Sequence, residues 1–260
     1  MSKTINFCKR NLKELLRDPL LYVFCLGFPI VMFVLFQIIN KFTQGNTPTF
    51  TLLSLLPGII MFSYTFTMLN MALIVSKDRQ TFFLKRLYSS PMRAYDFVLG
   101  YAIVGLIIGL CQAVVCIVTG GVIAIITREA FLGLGQLILL VLSQIPMLIT
   151  FVFVGILIGT VFNDKSAPGI SSIFISVAGI LGGCWMPIET MGGFEKFARL
   201  LPFYPSVYVG RVVSKATTAF NTVYVFDSVA KWGIVAIILY MAVSVILTFV
   251  LFKKNMVSDK

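Results

Sequence analysis

The chain has 260 residues, of which 58% are hydrophobic and 12% charged, with a formal net charge of +11 and a mean hydropathy of +0.98. The charged share is about half that of a soluble domain, so the composition predicts an integral membrane protein. Histidine is absent, which removes His-based triads, His metal sites and His proton relays. The cations are split among distant segments, so no nucleic-acid partner is expected.

Residues 3–18 come first. Ile5, Cys8, Leu12, Leu15 and Leu16 fall near one helical face, and Lys3, Lys9, Arg10, Lys13 and Arg17 fall mostly elsewhere. This spacing predicts an amphipathic interfacial helix over 1–19, ended by Pro19, which turns the chain into the bilayer. A transmembrane domain is expected over 20–260. A span needs about 20 mostly apolar residues, and runs at 20–40, 51–76, 97–126, 137–162, 167–187 and 232–252 qualify. The first is too long for a cleaved signal peptide and lacks a small-residue cleavage site. Pro29, Pro57 and Pro146 sit inside runs, where neighbouring helices can satisfy the freed carbonyls. Only residues 163–166 separate the fourth and fifth runs, so a tight helical hairpin is expected there.

Loop charges set the predicted topology. Fourteen of the 21 Lys and Arg lie in the N-terminal segment, the 77–93 loop, the 163–166 turn and the C-terminus. Positive short loops face the cytoplasm. The expected arrangement is a multi-pass plasma-membrane protein with both termini cytoplasmic.

Absent residues bear on the energy source. None of the ten acids lies in the middle of a run, which weighs against a proton-coupled carrier. No G-x-x-x-x-G-K-[ST] loop occurs, so the chain has no ATP cradle of that type. No G-x-S-x-G elbow occurs either. Cys8, Cys25, Cys111, Cys116 and Cys184 show no metal spacing and no disulfide framework. A catalytic site is not expected, and any work done draws on another subunit.

The loop KDRQTFFLKRLYSSPMR, 77–93, interleaves cations with Phe82, Phe83, Leu84, Leu87 and Tyr88 at helical spacing, and Ser89-Ser90-Pro91 stops the helix. Such a helix can dock in a partner's groove or lie on anionic lipid. Its residues resemble the cytoplasmic signature of ATP-binding-cassette (ABC) transporter permeases of the type-2 exporter class. Asp78, Arg79, Phe83, Leu84, Lys85, Arg86, Leu87, Ser90 and Pro91 follow the family order. Gln80 replaces a second acid, and Phe82 stands where Gly is common. A second stretch, GGCWMPIETMGGFEKFARLLPFYPSVYVGR at 182–211, is similar to the end of the family's fifth span. Gly183, Pro187, Ile188, Phe194, Pro202, Tyr204 and Arg211 carry that match.

The resemblance implies an all-α membrane fold of six transmembrane helices, with short re-entrant helices at 185–231 between spans five and six. It implies that 77–93, Phe82 included, couples to a separate P-loop ABC ATPase, present in two copies. A second permease copy, as a homodimer, or a similar permease would complete the complex. No cofactor is expected on this chain, and ATP and Mg2+ would sit on the ATPase. The family's path lies beside spans two and five. Ser63, Thr67 and Asn70, next to Tyr64, share one face of span two. Ser172, Ser176, Gly179 and Gly183 do so in span five. Polar faces of this kind suit either a translocation path or helix packing. Gly105/Gly109 and Gly155/Gly159 predict close packing.

The function expected is outward export of an amphipathic or lipid-like substrate such as a drug, antimicrobial peptide, lipid or glycan-lipid. An ATP-independent carrier or flippase and a non-transporting membrane scaffold are the alternatives.

Overall fold

The computed structural model describes residues 2–42, 50–81 and 93–258. Among them the regular elements are helical, apart from an isolated bridge between Thr217 and Val223. The first helix, α1 (Ser2–Leu15), is shorter than expected. Pro19 does not end it. Residues 16–18 turn, and Pro19 opens α2 (Pro19–Leu21), a position where its missing N–H costs nothing.

The buried stripe of α1 is Phe7, Asn11 and Leu15, while Ile5 and Leu16 are exposed. Phe7 displaces Ile5 from the predicted face because its ring meets Phe97 and Tyr101 edge-on, at centroid distances of 5.4 and 4.9 Å. Edge-to-face aromatic pairs add to the burial they bring.

A π-helical turn, Tyr22–Gly27, joins α2 to α3 (Phe28–Phe42). The Phe28 N–H reaches the Val23 carbonyl, five residues back. Pro29 explains this: its ring excludes the carbonyl four residues upstream, so the preceding turn widens. The long helices are α4 (Leu52–Gln80), α5 (Ala94–Thr127), α6 (Leu134–Val161) and α10 (Ser228–Ser258). With Tyr22–Phe42 they give five helices long and apolar enough to cross a membrane, among the described residues.

The run at 167–187 departs from its predicted span. Its helix, α7 (Ala167–Leu181), has 15 residues, about 22 Å of rise against a hydrocarbon core of about 30 Å. Apolarity continues past it, but the backbone turns at Gly182 and Gly183, with Gly183 at φ +61°. Cys184 then packs so closely on α4 that a Cβ at Gly58 would lie 2.9 Å from its backbone. A short 3-10 turn (Ile188–Thr190), α8 (Gly193–Leu200) and α9 (Phe203–Val213) follow. The α6–α7 hairpin forms as expected. Asn163 closes it by accepting the Ser166 N–H at 2.9 Å.

The core lies around α4, whose apolar stretch is 89% buried, against 17% for α10. Helix α6 packs directly on it. A Cβ at Gly155 would strike the Met68 carbonyl, and one at Gly159 would lie 2.6 Å from the Ala72 carbonyl. Gly105 and Gly109 of α5 face Val152 and Leu148 of α6 in the same way. Both termini lie at one end of the bundle. There Asn255 donates to the Thr160 carbonyl at 2.9 Å, Arg79 donates to the same carbonyl, and Phe252 stacks on Phe97.

Candidate functional site

At the end carrying the termini, α1, α4 and α5 meet on one carboxylate. Arg10 donates two hydrogen bonds to Asp78, at 2.5 and 2.7 Å. The Tyr101 hydroxyl donates a third, at 2.7 Å. The Asp78 side chain is only 2% exposed. A buried carboxylate is tolerable when its lone pairs are filled in this manner, and bidentate Arg contacts are the strong kind. Glu14 extends the network, lying 2.6 Å from Arg10 and 3.3 Å from Lys77. Burial alone lowers the Arg10 pKa, but the bond to Asp78 and the charges of Asp78 and Glu14 outweigh it and hold it above its ordinary value. Thr4 of α1 also donates to Asp96 at 3.1 Å. Asp96 in turn accepts the Arg93 N–H and so caps α5.

The polar face of α4 points inward. Ser63 and Thr67 are fully buried, as is the Tyr64 side chain. The Ser63 hydroxyl donates to the Ile60 carbonyl of its own helix. Thr67 donates to the Gln112 Oε1 of α5. The Asn70 Nδ2 lies 2.9 Å from the Cys25 Sγ, in the π turn. The Tyr64 hydroxyl and the Gln112 Nε2 are buried without a hydrogen-bond partner among the described residues. The Thr67 and Asn70 contacts hold α4 against α5 and the π turn.

At the opposite end, Arg211 of α9 is 1% exposed. It donates to the Gly183 carbonyl at 2.7 Å, to the Ser54 carbonyl at 3.2 Å and to the Tyr224 hydroxyl at 3.3 Å. Glu189 lies 3.8 Å away and accepts from Tyr224. One guanidinium thus fastens the turn after α7, the start of α4 and the 3-10 turn together. Burial raises the Glu189 pKa, against the lowering effect of Arg211. Beside this node, Gln144 of α6 exchanges two hydrogen bonds with Ser206 of α9, at 2.9 and 2.7 Å.

The structure places the sequence-nominated residues unequally. Asp78 is buried and Arg79 half-buried, and α1, α5 and α6 hold them rather than leaving them displayed. Phe82, Phe83, Leu84, Lys85, Arg86, Leu87 and Pro91 lie outside the described residues. Ser63, Tyr64, Thr67 and Asn70 are interior, whereas Ser172 and Ser176 are exposed on α7 and bond back to their own helix. The two sets do not share a surface in this conformation. Sequence reasoning missed Arg10, Gln112 and Gln144. The last two carried a signal, each being a lone amide within an apolar run, where an unpaired amide is expensive.

A search of curated proteins finds no match. The family model for the ABC-2 type transporter matches residues 4–215. That range takes in α1, the Asp78 node, the α4–α6 pack and the Arg211 node. The chain therefore belongs to the ABC-2 type transporter family, as a transmembrane permease domain.

Proposed function

We propose that the chain is the permease subunit of an ATP-driven exporter, paired with a second copy and with two P-loop ABC ATPase subunits that hold ATP and Mg2+. The family match carries this reading. The anchored base of the 77–93 segment supports it: Asp78 and Arg79 tie the end of α4 to α1, α5 and α6, so force on that segment reaches several helices. Both termini then face the cytoplasm, in the plasma membrane. The cargo is amphipathic or lipid-like and moves outward.

In this reading α7 and the turn after it form the fifth membrane element, and α8–α9 form a re-entrant hairpin entering from the outer side. The stacking of Phe203 on Phe151 supports that depth, since Phe151 lies 17 residues into α6, about 25 Å along its axis. Ser63, Tyr64, Thr67 and Asn70 line a path only after α5 or the π turn withdraws. Ser172 and Ser176 face the second copy.

The test is a pull-down of the detergent-solubilised chain from its own membranes. A stoichiometric P-loop ATPase is expected, and Leu84→Asp with Leu87→Asp is expected to release it while the protein stays inserted. A chain that elutes alone and transports in liposomes without ATP overturns the proposal in favour of a secondary carrier.

A further inference from the structure

A cleft of about 900 Å³ opens between α1, the turn after it and the last part of α4. Its rim carries Lys9, Arg10, Lys13, Arg17 and Lys77 against two acids, Glu14 and Asp18. Arg10 is held by Asp78, and Lys77 and Arg10 both engage Glu14. Lys9, Lys13 and Arg17 are exposed and have no ion pair among the described residues. Lys9 and Lys13, four apart on α1, share one helical face, and Arg17 follows in the turn after it. The cleft also has an apolar side. Leu15, Leu73, Ile74 and Pro19 line it, and Asn70 closes its inner end. Lys77 to Asn70 is seven residues, about 10 Å of helix rise. The cleft therefore grades from a cationic rim at the membrane interface to an apolar interior at acyl-chain depth.

We infer that this cleft binds an anionic glycerophospholipid, its phosphate on Lys9, Lys13 and Arg17 and its first methylenes on Leu73 and Ile74. A free phosphate would leave the apolar side unused. An acidic peptide would have to carry its backbone into the hydrocarbon, where unpaired amides are costly. The lipid satisfies both halves, because interfacial cations attract anionic headgroups while their neighbours take the chain. The cleft shares Asn70 with the proposed path, but its cationic rim needs neither ATPase nor cargo to bind a lipid.

The test is native mass spectrometry of the detergent-purified full chain, titrated with palmitoyl-oleoyl phosphatidylglycerol, with the matching phosphatidylcholine, and with inorganic phosphate as competitor. Phosphatidylglycerol is expected to bind about 10-fold more tightly than phosphatidylcholine. The triple variant Lys9→Gln, Lys13→Gln, Arg17→Gln is expected to erase that preference, and Lys13→Gln alone to reduce it. Lys253→Gln with Lys254→Gln removes two exposed cations at the same end of the bundle and is expected to keep it. Circular dichroism checks that each variant is folded. Equal binding of the two lipids overturns the site. So does a preference that survives the triple variant, or one lost equally in the Lys253/Lys254 variant, which marks diffuse charge attraction. Displacement by phosphate at concentrations comparable to the lipid overturns it too and makes the cleft a free-anion site.

Discussion

Asp78 illustrates what one residue does when buried with three donors. Asp78→Asn leaves Arg10 facing a neutral amide, and the expected loss is about 2 kcal/mol, in the range for hydrogen bonds to charged groups. Thermal unfolding in detergent measures it, and faster tryptic cleavage within α1 reports that the helix has undocked. Arg211 is the second case. Arg211→Ala strands the Gly183 and Ser54 carbonyls and the Glu189 carboxylate, at an expected cost of about 3–5 kcal/mol. Arg211→Lys is expected to recover little, because an ammonium cannot reach acceptors spread around a planar fork. Glu189 gives a pH signature. Its folded pKa is raised by burial, so the native state holds the proton more tightly than the unfolded chain. Stability is then greatest below the ordinary Glu value of about 4.3 and falls as pH rises through the raised one. Glu189→Gln is expected to flatten that slope in unfolding midpoints measured across the window. The sequence marks Asp78 and Arg211 as members of motifs. It does not show that Asp78 is neutralised by Arg10, 68 positions away, because that pairing exists only once α1 lies across α4.

Among elements, the α4–α6 contact sets the tightest tolerance. Gly155→Ala or Gly159→Ala puts a methyl group onto α4 backbone, and overpacking of this kind costs about 1–3 kcal/mol. Gly135→Ala and Gly169→Ala are matched controls. Nothing lies within 4 Å of a Cβ at either position, and alanine is the better helix former. Their unfolding midpoints are expected to hold or rise. If all four variants behave alike, close approach is not what these glycines provide. The long spans were legible because apolar runs and helix lengths coincide to within a few residues. The 167–187 run was not, since its apolar residues continue beyond the helix: Cys184, past its end, is buried against α4. Hydropathy registers that burial in the same way as it registers lipid. The π turn had a readable cause in Pro29, but the carbonyl geometry it demands is invisible until the helix is built.

At the scale of the molecule, the contrast between buried α4 and open α10 says which surfaces are left for lipid or a second copy. Exposed Ser172 and Ser176 on α7 test the proposed pairing. In a Cys111→Ser background, Ser176→Cys is expected to give a disulfide-linked dimer when membranes are oxidised. Val243→Cys, exposed on α10, is expected to stay monomeric. A monomer in both places α7 away from the second copy. The helical membrane class and the family were legible in composition and in two motifs. The arrangement of polar residues was not, because an inward hydroxyl and an outward one have the same helical spacing.

The sheathing of α4 carries one more consequence. A rod gripped on nearly every side cannot tilt alone; it slides along its axis or takes its neighbours with it. Backbone-to-backbone contact at Gly155 and Gly159 makes α6 its fixed companion, and Asp78 adds α1 and α5. Any push delivered at Gln80 would meet a composite strut rather than a single lever.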